Sequence, residues 1–261
     1  MSAALSLIFC LAPLAPQAGP SDRKVDFKAR FGRFDGCFVI RQIGGDWSLR
    51  YNEEGCATAH SPCSTFKIFN ALAGLDCGVL AGPQTAMKWD GKPQRIKTWE
   101  RDHTLATAIR DSVVWYFQEV ARLIGDEKMR GYLQRAEYGN RSTGGAIDRF
   151  WLDGSLTISA NQQAVFMERL YTDKLPFKKS VMKTVRELIV LREGEGWTFS
   201  GKTGTKGEGD RAVLGWFVGH VRSGNSEYVF ATNIRAAEGG MGQTAKEIAF
   251  SILTDLGLVR P

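Results

Sequence analysis

The chain has 261 residues, 43% of them hydrophobic and 24% charged, an ordinary globular composition with room for one large domain or two small ones. Its net charge of +6 is spread along the sequence and is not interleaved with aromatics, which excludes a nucleic-acid-binding stripe and leaves a solvated basic surface.

Residues 3–14 form a short apolar run, too few for a membrane span. They fit the hydrophobic part of a secretory signal peptide over 1–18 better than a terminal core helix, although no Lys or Arg precedes them. The expectation is one exported domain over 19–261, periplasmic or secreted. Of the five cysteines, Cys10 leaves with the signal, and the remaining Cys37, Cys56, Cys63 and Cys77 allow three pairings. Cys56 and Cys63 are closest and could staple the loop before Ser64; buried free thiols are the equal alternative. With no C-x-x-C and no histidine cluster, a zinc site is not expected.

Cys37-Phe38-Val39-Ile40 predicts a strand, Gly44-Gly45 a turn, and Trp47 to Tyr51 the returning strand. Glu53 to Pro62 reads as a loop, and Ile68, Leu72 and Leu75 keep helical spacing behind it. The stretch from Pro83 to Glu100 is polar and irregular. Helical signals then dominate: His103 to Ile109, Phe117 to Ile124 stopped by Gly125, a helix capped by Asp126, Ala160 to Tyr171, and Ser180 to Leu191. From Trp197 the period returns to two, with strands over Trp197–Thr205, Val213–Val221 and Tyr228–Ile234, the last two joined by the turn Ser223-Gly224-Asn225. An amphipathic helix over Thr244–Leu256 closes the chain. Strands at both ends and helices between them predict an α/β (α+β) fold. Its antiparallel sheet comes from the two terminal regions and is flanked by helices, with an inserted helical subdomain over roughly 80–195.

The chemistry gathers on Ser64-Thr65-Phe66-Lys67. S-x-x-K occurs three times, at Ser21/Lys24, Ser64/Lys67 and Ser180/Lys183, but only the second opens an apolar helix. Residues three apart share a helical face, and Pro62 suits the first turn because its missing N–H would be unpaired there anyway. A hydroxyl becomes a nucleophile when a base takes its proton. A lysine can be that base once burial keeps its amine neutral.

Four further features follow in order: Ser112-Val113-Val114, Tyr138-Gly139-Asn140, Phe150-Trp151-Leu152-x-Gly154, and Lys202-Thr203-Gly204. S-x-x-K with a later K-T-G is the signature of penicillin-interacting serine enzymes. With the apolar S-x-V, Tyr-Gly-Asn and Phe-Trp-Leu-x-Gly, the chain from Cys37 to Val259 resembles the class D (OXA-type) serine β-lactamases.

The resemblance implies an acyl-enzyme on Ser64, formed from a penicillin-type β-lactam, and a role in resistance to such antibiotics. It implies that Lys67 carries an N-carboxylate made with CO2 or bicarbonate, with no other cofactor and no metal, and acts as general base. Trp151 would hydrogen-bond that carboxylate, Ser112 and Lys202 would pass a proton to the leaving nitrogen, and Val114 would keep the pocket dry. The N–H groups of Ser64 and Thr205 would form the oxyanion hole. Thr203, Gly204 and Thr205 would line the substrate site, Thr203 and Thr205 touching the substrate carboxylate. One departure stands out: Gly239-Gly240-Met241-Gly242-Gln243 occupies the place of the family's carboxylate-binding arginine. Arg235 either reaches the pocket from its strand or is a solvated strand-end charge.

His60, His103 and His220 lack a triad pattern. Monomer and homodimer are both open. The rivals are a β-lactam sensor domain, which is acylated without turnover and normally hangs from membrane-spanning segments, and a D,D-peptidase, which expects a polar residue where Val114 stands.

Overall fold

Burial along the strands alternates between two apolar clusters, so a six-stranded antiparallel sheet divides the protein into two cores. The computed structural model describes residue 20 and residues 24–260; the expected signal segment, with Cys10, lies outside them. The chain runs through α1 (Phe27–Phe31), β1 (Asp35–Gln42), β2 (Ser48–Tyr51), α2 (Glu53–Ala57) and β3 (Ala59–His60). A 3-10 turn at Cys63–Phe66 then passes directly into α3 (Lys67–Asp76). Next come β4 (Ala86–Met87), β5 (His103–Thr104), α4 (Leu105–Arg110), α5 (Val114–Ile124), α6 (Asp126–Ala136) and α7 (Phe150–Asp153). β6 (Ile158–Ser159), α8 (Ala160–Tyr171) and α9 (Lys179–Leu188) complete the helical middle. β7 (Val190–Gly194), β8 (Trp197–Glu208), β9 (Arg211–Ser223), β10 (Ser226–Arg235) and α10 (Gly242–Asp255) end the chain.

The sheet order is β2-β1-β10-β9-β8-β7, and Cys37 of β1 stands opposite Asn233 of β10, so the two terminal regions share one sheet as the sequence pattern predicts. Successive side chains of a strand point to opposite faces. Cys37, Val39, Trp216, Val218, Val229 and Ala231 therefore pack with α3, α5 and α8, whereas Phe38, Ile40, Phe217 and Phe230 pack with α10. With both faces covered, these strands read as continuous apolar runs although the sheet is antiparallel. α3 lies inside the first core, and every residue from Lys67 to Gly74 is buried.

Four local expectations change. The helix expected to reach Leu191 ends at Leu188, and Val190 pairs with Ser200 as the start of edge strand β7. Ile189-Val190-Leu191 continues the helical apolar pattern, but two β-branched residues beside an open sheet edge favour strand. The expected loop after Glu53 contains α2, whose cap is Asn52, accepting the Gly55 N–H at 3.0 Å. Asp126 is the first residue of α6 and Gly125 its cap. Finally, the described cysteines are free thiols: Cys56 donates to the Phe38 carbonyl at 3.4 Å and contacts Cys37, and Cys63 donates to the Ser61 carbonyl at 3.5 Å. Cys56 and Cys63 do not staple the loop.

Candidate active site

Ser64 sits in the 3-10 turn and Lys67 is the first residue of α3, so the turn and the helix place both side chains on one side. Lys67 Nζ donates to Ser64 Oγ at 2.7 Å. Ser64 is half-buried, while Lys67 is 1% exposed. Burial holds the Lys67 amine well below its ordinary value, and the nearby Lys202 pushes it the same way. A neutral amine on a hydroxyl is a base beside a nucleophile.

The walls around that amine are apolar. Phe66, Phe117 and Trp151 are fully buried, and the Phe117 ring centre lies 5.7 Å from Lys67 Nζ. Phe66 stacks on Trp151 at 5.4 Å. Asn70 on α3 donates to the Phe117 carbonyl at 2.9 Å, which fixes α5 against α3. Trp151 Nε1 is buried and has no hydrogen-bond partner. An unpaired buried donor is costly, so this indole N–H is open to an added acceptor.

The second hydrogen-bonded pair comes from different elements. Lys202 on β8 donates to Ser112 Oγ at 3.0 Å, and to the carbonyl and hydroxyl of Thr203 at 3.2 and 3.4 Å. Burial, with help from Lys246, lowers its amine to about 7. Ser112 holds a left-handed backbone, φ 57, just before α5, and Cys63 does the same, φ 51, just before Ser64. Such conformations cost about 1–3 kcal/mol in a non-glycine residue, and two of them flank the reactive groups. Val114, half-buried, opens α5 one helical turn before Phe117.

Gly204 brings β8 against the 3-10 turn. A Cβ there would stand 2.9 Å from the Pro62 carbonyl and 3.2 Å from Thr65, so only glycine lets β8 lie this close to the turn that carries Ser64. Thr205 Oγ1 accepts the Gly242 N–H at 2.9 Å, leaving its own proton free to be donated.

Gly242 in turn has no room for a side chain. Its Cβ would meet the Gly204 carbonyl at 2.5 Å, and one on Gly240 would meet the Val213 carbonyl carbon at 2.8 Å. As packed here, neither glycine leaves room for a side chain. The Arg235 guanidinium is bound to Asp35 at 2.6 Å and to His60 at 2.9 Å, and among the described residues it makes no hydrogen bond to Ser64, Lys67, Lys202 or Thr203. The strand-end reading of Arg235 fits this geometry.

Tyr138-Gly139-Asn140 carries the segment behind Trp151. A Cβ on Gly139, φ 52, would strike the Thr157 carbonyl, and Asn140 binds Ser155 and Thr157. His103 binds Thr107 and Thr98, and His220 binds Glu227.

Phe117, Ser61 and Gln163 were not legible as site residues. Phe117 shares a helical face with Val114, a signal that also fits plain packing. Gln163 donates to Thr65 at 2.8 Å and Ser61 to the Trp151 carbonyl at 2.8 Å, contacts across 98 and 90 residues that leave no local trace.

The family profile of the penicillin-binding protein transpeptidase domain matches residues 19–254. The probable β-lactamase YbxI of Bacillus subtilis is 39% identical over 236 residues, covering 90% of this chain and 86% of that protein. The regulatory protein BlaR1 of Bacillus licheniformis is 35% identical over 89% of this chain and 39% of its own length. The crystal structure of a class D β-lactamase from Bacillus subtilis has a TM-score of 0.86 at 39% identity, covering 91% of this chain and 98% of that one.

Proposed function

Because the chain belongs to the class D β-lactamase family, we propose that it hydrolyses the cyclic amide of penicillin-type antibiotics through an acyl-enzyme on Ser64, and so confers resistance to them. The observation that carries this reading is the buried Lys67 amine on Ser64 Oγ at 2.7 Å. Lys67 takes the Ser64 proton as Oγ bonds to the β-lactam carbonyl carbon. The N–H groups of Ser64 and Thr205 receive the developing oxyanion, where one donor is typically worth about 10²–10³ in turnover. The ring C–N bond then breaks, and Lys202, with an amine near 7, supplies the nitrogen with a proton through Ser112 Oγ. Thr203 and Thr205 hydroxyls meet the substrate carboxylate, and Val114 keeps water from the lysine.

The residues around Lys67 fit an N-carboxylate formed with CO2. A free amine is the form that reacts with CO2, burial supplies it, and the unpaired Trp151 indole N–H is the donor an added carboxylate needs. When present, that group would supply an anionic base both for the Ser64 proton and for the water that clears Ser64, an assistance of roughly 10²–10⁴-fold.

Similarity to BlaR1 favours a second reading, a penicillin receptor acylated without turnover. Among the described residues no helix is long and apolar enough to cross a membrane. Export under the signal segment belongs to the proposal. A chromogenic cephalosporin separates the readings: sustained turnover supports the hydrolase, and a single burst equal to the protein concentration refutes it.

A further inference from the structure

We propose that Ser61, outside every motif of the site, is a positioning residue that aims the Trp151 indole N–H at the end of Lys67; the inference rests on the carboxylated-lysine reading above. Ser61 is 5% exposed and lies three residues before Ser64. Its Oγ donates to the Trp151 carbonyl at 2.8 Å. Its own carbonyl accepts the indole N–H of Trp216 at 3.0 Å, and Trp216 is fully buried on β9. The Cys63 thiol points its weak donor at the Ser61 carbonyl, 3.5 Å, and at Ser61 Oγ, 3.8 Å, so the Ser61 hydroxyl proton is left for Trp151. One residue thus joins the rigid sheet, the chain entering the nucleophile turn, and α7.

The carbonyl that Ser61 holds has no helical substitute. α7 is a single turn, and the N–H of Ser155, four residues beyond Trp151, bonds to Asp153 Oδ1 at 2.8 Å instead. The Trp151 ring is fully buried, stacked on Phe66 and edge-on to Phe150, so it follows its own backbone. A shift of that backbone moves Nε1, and hydrogen bonds weaken steeply with misalignment. The Ser61 hydroxyl therefore acts on CO2 uptake at Lys67 and not on substrate contact.

Ser61→Ala removes the donor and leaves the Trp151 carbonyl unpaired. The measurements are turnover of a chromogenic cephalosporin against bicarbonate concentration, and incorporation of 13C-labelled CO2 at Lys67 by NMR. The bicarbonate needed for half-maximal turnover rises about three- to tenfold, the equilibrium worth of one neutral hydrogen bond, while KM and turnover at saturating bicarbonate stay within about twofold. Ser61→Cys, similar in shape but a weaker donor, falls between the two and serves where Ser61→Ala does not fold. Label in the wild type with unchanged bicarbonate dependence in the folded variants overturns the inference alone. A turnover loss that saturating bicarbonate does not restore also overturns it. A wild type that takes up no label overturns the carboxylated-lysine reading and this inference with it.

Discussion

Replacing Lys202 with methionine should stabilise the protein while disabling it. Lys202 is 6% exposed, and burial lowers its amine from 10.5 to about 7. At about 1.4 kcal/mol per pH unit, that fall corresponds to roughly 5 kcal/mol of cost for carrying the charge in the fold. The hydrogen bonds to Ser112 and Thr203, about 0.5–1.5 kcal/mol each, are lost in the variant and offset much of the gain. A net stabilisation of about 2–4 kcal/mol, or a Tm higher by about 4–16 °C, is expected at pH 6 for a chain of this size. At pH 6 the amine is protonated in both folded and unfolded chains, so the whole cost is present. Between pH 7 and 10.5 the unfolded chain holds a proton that the folded chain has shed, so wild-type stability recovers as the pH rises. The advantage of Lys202→Met should therefore shrink above pH 7. Thermal unfolding from pH 6 to 10, beside a chromogenic cephalosporin assay, reads both effects. A variant less stable than wild type at pH 6, or an advantage that grows with pH, refutes the reasoning.

Gly204→Ala puts a methyl 2.9 Å from the Pro62 carbonyl and pushes β8 off the nucleophile turn; acylation should fall by about 10²–10³ in a folded protein, as for a lost oxyanion donor, and a wild-type acylation rate by stopped flow would contradict this. Trp151→Phe keeps the stack on Phe66 but removes the unpaired N–H; labelled CO2 on Lys67 should drop and the acyl-enzyme should persist on intact-mass spectra. Arg235→Ala should leave KM for penicillins within about twofold and cost about 0–1 kcal/mol, since the bond to Asp35 is an exposed pair; a tenfold rise in KM would make Arg235 a substrate contact.

The fold was legible wherever one period held for a whole element. α8 falls on the expected residues, and the strands on either side of the 223–225 turn come within three residues of theirs. It was illegible where local pattern and sheet geometry disagree, as at Ile189-Val190-Leu191, whose apolar spacing continues a helix that the open edge of β8 interrupts. Ser64, Lys67 and Lys202-Thr203-Gly204 could be read because chemistry fixes residue type and spacing together. Phe117, Ser61 and Gln163 could not, because each joins the candidate site through a contact that exists only once distant segments meet. The missing arginine was visible as a gap, but the backbone standing where a Cβ of Gly240 or Gly242 would go needed coordinates.

The most direct measurement of the central claim is intact mass against time after mixing the protein with a penicillin, for the wild type and for Lys67→Ala. The account predicts an adduct on Ser64 that clears as the wild type turns over, and in Lys67→Ala an adduct that forms more slowly, because Lys67 also takes the Ser64 proton, and then persists because the base that activates water is gone. A wild-type adduct that stays at one equivalent, or a Lys67→Ala protein that clears it at the wild-type rate, would contradict the account.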